Sequence, residues 1–268
     1  MSVVRPSRPS DARGGWFEPP LPRVLAHRGL ALDVPENTLA AFDAAMAAGA
    51  SYVETDVHSS VEGVAMVCHD PNLARVAGID GEVEELTVSD LQRIDLGGGH
   101  RMPTLREALD AFPTARFNID VKSDRAAAST ARAVLDAGAI DRVLITSFSS
   151  RRRAAAVRLL PGVRSSASAP RFVFILLLAK LGVLHLVPWA RRGVDAVQVP
   201  THAGRVRIPT PRVIRAIHRA GLEMHIWTVN TPEEMAELLA LGVDGVVTDR
   251  ADIALVVASR ADRDASEF

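Results

Sequence analysis

The sequence predicts an α/β protein of the (β/α)8 TIM-barrel class, with a small insertion after the His69-Asp70 pair. Extended apolar segments alternate with helix-like segments along the chain, and this alternation calls for a parallel sheet. Eight extended segments are far enough apart for parallel crossovers, which favours closure into a barrel. No Gly-x-Gly-x-x-Gly turn supports an open dinucleotide-binding sheet.

The length of 268 residues is sufficient for one such barrel and its core. We expect the barrel domain to span residues 23–259. A leader rich in Pro, Ser and Arg, residues 1–22, is expected to be flexible, and residues 260–268 are expected to form a polar tail. The sequence therefore predicts a single folded domain.

The eight barrel strands are predicted at short apolar runs. They are residues 23–26, 51–57, 116–121, 142–146, 163–167, 194–199, 222–227 and 245–247. Another apolar run, residues 64–68, follows the second strand too closely for a parallel crossover, which needs a dozen or more residues. That run is predicted to return antiparallel, as the second arm of a hairpin.

Helices are predicted between the strands from their caps and apolar spacing. Thr104 and Glu107 form the pattern of a capping box. Residues 71–102 carry glycines and acids without a long periodic stretch, which is typical of an insertion. The predicted helices are residues 37–48, 104–112, 126–137, 150–160, 172–187, 211–220 and 232–241.

Composition excludes several classes of protein. Apolar residues make up 48% of the chain and charged residues 24%, as in ordinary globular proteins. The formal net charge of -1 provides no field for nonspecific nucleic acid binding, so we expect no nucleic acid partner. The single cysteine, Cys68, and the lack of an apolar segment in the leader predict a cytoplasmic protein.

The most apolar stretch, residues 172–187, is interrupted by Lys180 and His185 and is too short to span a bilayer. Arg151–Arg153 and Arg191–Arg192 flank it in sequence. One hypothesis is a peripheral contact between this stretch and an anionic membrane. The alternative is a helix that packs on the barrel and is covered by a loop on its outer side.

Titratable residues cluster where four predicted segments end, and in a barrel the strand ends carry the functional groups. Glu54 and Asp56 lie two apart on one strand and therefore project to the same face, where two carboxylates repel unless a cation or proton intervenes. Asp120 and Lys122 have the same spacing on another strand. Three carboxylates predict a site for Mg²⁺ or Ca²⁺.

Arg28 and Lys122 would place two cations beside that metal, an arrangement that suits an anionic phosphoryl group. His27 and His69 end different segments and are predicted to face each other across the phosphate, one as base and one as acid. The sequence leaves open which histidine plays which part. Cys68 points away from its neighbour His69 and is assigned no role.

These residues resemble the glycerophosphodiester phosphodiesterase family, a group of phospholipase-C-like phosphodiesterase barrels. The resemblance spans about Arg23 to Asp249. It is carried by Ala26-His27-Arg28-Gly29, Pro35-Glu36-Asn37-Thr38, Glu54-Thr55-Asp56-Val57, His69-Asp70, Asn118-Ile119-Asp120-Val121-Lys122, Trp227-Thr228-Val229-Asn230 and Gly242-Val243-Asp244-Gly245-Val246-Val247-Thr248-Asp249.

The resemblance implies a metal-dependent hydrolase of glycerol and lipid metabolism. The implied acid and base are His27 and His69, the implied metal ligands are Glu54, Asp56 and Asp120, and the implied phosphate contacts are Arg28 and Lys122. In the implied reaction a glycerol hydroxyl of the substrate attacks phosphorus, an alcohol leaves, and water opens the cyclic phosphate to sn-glycerol 3-phosphate. An insertion at residues 71–102 also matches the family.

Asp120 departs from the resemblance, because the family usually has Glu there, one methylene longer; we expect the metal position or affinity to differ. Asp at this position is also similar to the sphingomyelinase D-type phospholipases, so a lysophospholipase D or sphingomyelinase D-like activity is kept as an alternative. A barrel that binds phosphorylated metabolites without turnover is a third hypothesis. Trp227, at the end of a late strand, is expected to pack its ring against the glycerol carbons; the alternative is an ordinary side chain of the barrel core.

Overall fold

The computed structural model describes residues 14–266, with side chains as far as residue 260. The strands lie where the sequence predicts them, and two further short strands form a small hairpin. They are β1 Arg23–His27, β2 Tyr52–Ser59, β3 Ala65–Val67, β4 Arg116–Val121, β5 Val143–Thr146, β6 Arg164–Ser165, β7 Ala196–Pro200, β8 His202–Ala203, β9 Val206–Arg207, β10 Glu223–Trp227 and β11 Gly245–Thr248.

Eight strands form one parallel ring. Their order is β6-β5-β4-β2-β1-β11-β10-β7, so successive strands of the ring are adjacent once β3, β8 and β9 are left aside, and the first strand, β1, pairs with the last, β11. Between β6 and β7 the ring is joined by hydrogen bonds, including one from the Ala167 N–H to the Ala196 carbonyl at 2.9 Å. The predicted (β/α)8 fold is confirmed. The predicted hairpin is also confirmed, because β3 pairs antiparallel with β2.

The helices surround this ring. They are α1 Leu39–Ala47, α2 Ala74–Ala77, α3 Val88–Arg93, α4 Leu105–Ala111, α5 Asp124–Asp136, α6 Ser150–Leu159, α7 Ala169–Leu181, α8 Pro211–Arg219, α9 Pro232–Leu241 and α10 Ala251–Ser266. The Thr104–Glu107 capping box at the start of α4 is present. Apolar side chains alternate along the strands, and those on the outer side of the sheet, such as Val53 and Ile119, pack under the helices.

One helix prediction is corrected. The predicted helix 172–187 ends at Leu181, because Gly182 takes a left-handed conformation (φ 79°) and caps it with hydrogen bonds back to α7. A separate 3-10 turn, Leu184–Leu186, follows. Within residues 260–268, predicted as a polar tail, the chain is helical as far as Ser266, because no Gly or Pro interrupts α10. Residues 267 and 268 lie outside the described part.

The insertion has a small core of its own. Residues 71–102 contain α2, a 3-10 turn at Val83–Glu85, and α3. Their buried side chains pack against Met66 and Cys68 at the hairpin arm. The insertion is therefore seated on the rim of the barrel, beside the strand-end residues of β2.

The predicted flexible leader 1–22 is wrong for its second part. Residues 14–22 are packed against the barrel, and Trp16 and Phe17 are buried. The Trp16 indole N–H donates to the Phe117 carbonyl at 3.2 Å, and the Tyr52 hydroxyl donates to the Trp16 carbonyl at 2.9 Å. The sequence predicts a leader here because so short a segment shows no periodicity. Residues 1–13 of the predicted leader lie outside the described residues.

A buried ion pair closes the same end of the barrel interior. The Arg23 side chain is 1% exposed and donates to both Glu223 carboxylate oxygens at 2.7 and 2.8 Å. Hydrogen bonds from Arg23 and His225 outweigh the effect of burial and hold the pKa of Glu223 down, at about 2. The Arg23 charge thus depends on Glu223 for its compensation.

We expect Glu223→Gln to lower the free energy of unfolding by about 3 kcal/mol, because it leaves a buried guanidinium without a counter-charge. Since the folded pKa of Glu223 is depressed, its contribution is present above pH ~4 and is lost as the pH falls toward 2. Urea unfolding at neutral and acid pH measures both effects. Glu237→Gln, which breaks an exposed pair with Arg207, is the control and should cost less than ~1 kcal/mol.

No helix in residues 14–266 is both long and apolar enough to cross a membrane.

Candidate active site

The carboxyl ends of the barrel strands surround a cavity of about 400 Å³. All eight side chains singled out by the sequence line it. They are His27, Arg28, Glu54, Asp56, His69, Asp120, Lys122 and Trp227. The spacing argument therefore places Glu54 and Asp56 correctly on one face, since both project into the barrel mouth. The same holds for Asp120 and Lys122.

His27, at the end of β1, is oriented by a carboxylate. Its Nδ1 lies 2.6 Å from Asp249 Oδ1, and its Nε2 lies 3.9 Å from Glu54 Oε2. Burial alone would lower the pKa of His27, but the hydrogen bond to Asp249 and the charge of Glu54 outweigh burial and raise it. Asp249 itself is held by the Asn230 amide at 2.7 Å. His27 is therefore fixed with one ring nitrogen directed at the cavity.

His69, beyond β3, has a matching arrangement. Its Nδ1 lies 2.7 Å from Asp70 Oδ1. Asp70 in turn accepts a hydrogen bond from Arg75 Nε at 2.5 Å, and Arg75 also donates to Glu36 at 2.7 Å. The backbone carbonyl of His69 is 3.1 Å from the ring of His58, which is buried. The insertion thus supplies, through Arg75, a support for the second histidine.

Arg28 sits in a tight turn that directs it into the site. Its φ of 58° is left-handed, an uncommon conformation for a residue with a side chain. The next residue, Gly29, is required, because a Cβ there would lie 2.6 Å from the backbone of Ala41 in α1. Arg28 Nε lies 3.1 Å from Asp56, and Arg28 Nη1 donates to Glu36 at 2.9 Å.

Charge in the centre of the site is unevenly compensated. Lys122 Nζ lies 2.8 Å from Asp56 Oδ1 and 2.7 Å from Asp120 Oδ2. Burial would raise the pKa of Asp56, but Lys122 and Arg28 lower it. For Asp120 burial prevails and the pKa is raised. For Glu54, burial and repulsion by Asp56 and Asp120 raise the pKa to about 8. The nearby positive charge therefore does not offset the burial and repulsion that act on the Glu54 carboxylate.

The donor set at this point fits a divalent cation. No group of three or more His, Cys, Asp or Glu side chains among the described residues has the geometry of a preformed metal site. However, Asp120 Oδ1 is buried without a hydrogen-bond partner in the described part of the chain. A cation would satisfy this oxygen and would relieve the repulsion that raises the pKa of Glu54. Carboxylate oxygens are the ligands that Mg²⁺ and Ca²⁺ prefer.

The opposite wall of the cavity is apolar. Two aromatic rings line it: Trp227 packs edge-to-face on Phe148, with ring centroids 5.8 Å apart. Phe172 and Val173 of α7 and Ile208 complete this wall. Trp227 thus lines the cavity as expected, and its partner Phe148 was not predicted. The polar and apolar walls together suit a ligand with an anionic group and a carbon-rich part.

Sequence reasoning missed three polar groups of the site. Asp249 belongs to a motif noted in the sequence, yet nothing local showed that it meets His27. Arg75 lies in the insertion, and Glu36 follows a proline in a loop. Asp249 and His27 are 222 residues apart, and Arg75 and Glu36, which are hydrogen-bonded to each other, are 39 apart. A search for carboxylates at the ends of all strands would have found Asp249.

We expect Asp249→Asn to lower turnover about tenfold or more, because the amide cannot stabilise a His27 imidazolium. The pKa of His27 should fall when the charge of Asp249 is removed, since the hydrogen bond to Asp249 raises it. The limb of the pH–rate profile that reports His27 should therefore move to lower pH, whichever proton transfer His27 performs. Asp252→Asn, beside Arg250, is the control. An unchanged profile would rule out this role of Asp249.

A family model and a named relative match this chain over most of its length. A model of the glycerophosphoryl diester phosphodiesterase family matches residues 27–253, a range that contains every site residue above. A Mycobacterium tuberculosis protein named "Probable glycerophosphodiester phosphodiesterase 2" is 40% identical over 232 residues, which cover 86% of this chain and 88% of the relative.

Solved structures of the same kind share the fold. A glycerophosphodiester phosphodiesterase from Agrobacterium tumefaciens is 28% identical, with a TM-score of 0.73, and the match covers 88% of this chain and 99% of that one. An Oleispira antarctica phosphodiesterase in complex with the product sn-glycerol-3-phosphate has 22% identity and a TM-score of 0.73, covering 89% and 97%. The chain therefore belongs to the glycerophosphoryl diester phosphodiesterase family.

Proposed function

We propose that this protein hydrolyses glycerophosphodiesters to sn-glycerol 3-phosphate and an alcohol by acid–base catalysis between His27 and His69. One observation carries the proposal: each histidine has its Nδ1 held by a carboxylate, and both line one cavity with two cations. The product held by the Oleispira antarctica relative and the name of the Mycobacterium tuberculosis relative support the same reaction class.

In the proposed first step, one histidine accepts the proton of a glycerol hydroxyl as its oxygen forms a bond to phosphorus. The other histidine donates a proton to the leaving alcohol oxygen as the second P–O bond breaks. The two histidines then exchange roles while water opens the cyclic phosphate. Arg28 and Lys122 stabilise the charge on the phosphoryl oxygens. The carboxylates at Nδ1 hold each ring in place.

A divalent cation, Mg²⁺ or Ca²⁺, is part of the proposal. Glu54, Asp56 and Asp120 would hold it. When bound, it would polarise the phosphoryl group as a Lewis acid. The unsatisfied Asp120 oxygen and the raised pKa of Glu54 support this assignment.

A second candidate substrate is a lysophospholipid, which would make the enzyme a lysophospholipase D or sphingomyelinase D-like phosphodiesterase. The apolar wall of Phe148, Phe172, Val173 and Trp227 favours it, because a glycerophosphodiester with a small polar alcohol presents little apolar surface for these side chains to cover. An acyl chain would cover that wall. The same histidines and cations would act on either substrate.

Incubation of the purified protein with glycerophosphocholine, glycerophosphoethanolamine and lysophosphatidylcholine, with Mg²⁺, Ca²⁺ or chelator, tests the proposal. Glycerol 3-phosphate release identifies the first activity, and lysophosphatidate release identifies the second. Absence of both products with every metal would leave the phosphometabolite-binding barrel as the better hypothesis. In that case calorimetry with sn-glycerol 3-phosphate would still show binding.

A further inference from the structure

Helix α7 and the turns after it carry exposed apolar side chains on their outer side. Val173, Leu177 and Leu181 are spaced four apart, so they form one stripe of the helix, and they are 64%, 55% and 62% exposed. Leu186 and Trp189, in the following 3-10 turns, are 67% and 62% exposed. We call these five side chains the α7 face.

The inner side of the same segment is packed on the barrel, where Ile175 and Ala179 are buried. The expectation that a loop covers the outer side is not met by residues 14–266, since the α7 face is exposed in that part of the chain. The segment therefore exposes large apolar side chains in addition to those that pack on the barrel. Exposed apolar surface of this extent marks an interaction site.

The α7 face is preformed. Arg171 donates from its guanidinium to the carbonyls of Trp189 and Ala190 at 2.7 Å each, which fixes the turns against the helix. Phe174 stacks on Trp189, with ring centroids 5.0 Å apart. A surface held in this way needs little ordering when it binds.

The stretch of sequence that contains the α7 face carries charge of one sign. Residues 142–194 contain nine arginines and one lysine, and no aspartate or glutamate. Lys180, Arg191 and Arg192 are exposed, and no ion pair joins them to another described side chain. Arg151, by contrast, is paired with Asp124. Free cations beside apolar side chains are complementary to a bilayer that carries anionic headgroups.

The α7 face is continuous with the catalytic cavity. Val173 belongs to both, because it lines the cavity wall beside Phe172 and is also the first residue of the exposed stripe. We propose that the α7 face docks the protein on the surface of an anionic bilayer, with the mouth of the cavity at the lipid boundary. This docking is separate from the proposed hydrolysis and does not depend on it.

Co-sedimentation with vesicles tests the docking without any substrate. The purified full chain should sediment with vesicles containing roughly one third phosphatidylglycerol, and much less with pure phosphatidylcholine, and high salt should weaken the binding. Leu177→Glu with Leu181→Glu should reduce the bound fraction about tenfold or more, because it places charge in the contact. Leu135→Glu, at an exposed site on α5, is the matched control and should bind as the unchanged protein does.

A second variant tests the charges alone: Arg191→Gln with Arg192→Gln should lower binding to anionic vesicles and leave the apolar contact intact. Each variant's unfolding midpoint and its turnover of soluble diesters serve as checks of folding, since none of these residues lines the cavity. Unchanged protein that stays in the supernatant with anionic vesicles would overturn the proposal. The proposal would also be overturned if the variant with Leu177→Glu and Leu181→Glu sediments fully. The same holds if size-exclusion experiments show that the α7 face joins two copies of the chain.

Discussion

His27→Ala and His69→Ala should each lower turnover by roughly 100-fold or more, because each removes one of the two proton transfers on which the proposed reaction depends. The binding groups Arg28 and Lys122 stay in place, so KM should change far less than kcat. Steady-state kinetics with the best substrate from the panel above measures both parameters. The double variant should be little worse than the worse single one, since the two groups act as a unit.

The matched control is His185→Ala, at an exposed position away from the cavity. It should leave turnover of a soluble diester unchanged. Circular dichroism and the urea midpoint should show that the two active-site variants are folded, because neither side chain belongs to an apolar core cluster. Near-normal turnover in either variant would remove that histidine from the mechanism.

Removal of divalent metal should lower turnover by roughly 100-fold or more, since Lewis-acid stabilisation of a phosphoryl group supplies several kcal/mol. Mg²⁺ or Ca²⁺ should restore it. Independently of activity, adding the metal to chelator-treated protein should raise the unfolding temperature and release heat in a titration. It should also lower the pKa of Glu54 from its value of about 8.

Variants of the carboxylates locate the metal. Asp120→Asn and Glu54→Gln should weaken binding in the titration, whereas Asp120→Glu, which restores the side chain usual in the family, should keep it. Glu237→Gln, which changes an exposed carboxylate that does not line the cavity, should bind as the unchanged protein does. Full activity in protein shown by elemental analysis to be free of metal would contradict the proposed dependence.

The polar and the apolar wall of the cavity suit different parts of a substrate. The polar wall holds the charges that contact phosphate, and the apolar wall begins at Trp227 and continues through Phe172 and Val173 to the α7 face. A substrate that enters from a bilayer would contact the apolar wall first and the polar wall next. The lipid alternative and the docking proposal are therefore compatible, yet vesicle binding and product analysis test them separately.

Much of the fold was predictable because its determinants are local. Alternating apolar residues mark the eight strands, the Thr104–Glu107 box marks the start of α4, and the short gap before residues 64–68 requires a hairpin. The helix predicted at 172–187 was too long, because the apolar run continues past Gly182, whose left-handed conformation ends α7. The role of Trp16 was missed because its partners Phe117 and Tyr52 lie elsewhere in the chain.

The barrel and the side chains at its mouth could be predicted from the sequence alone, since the alternation of side chains along a strand places Glu54 and Asp56 on one face whatever surrounds them. Two contacts in the site could not be predicted from the sequence: Asp249 holds His27, and Arg75, which supports the Asp70 beside His69, also reaches Glu36. The tertiary structure alone showed that the outer side of α7 is exposed. Asp249 meets His27 because β11 pairs with β1 when the barrel closes, and Arg75 meets Glu36 because the insertion packs on the barrel rim; neither contact follows from a local pattern.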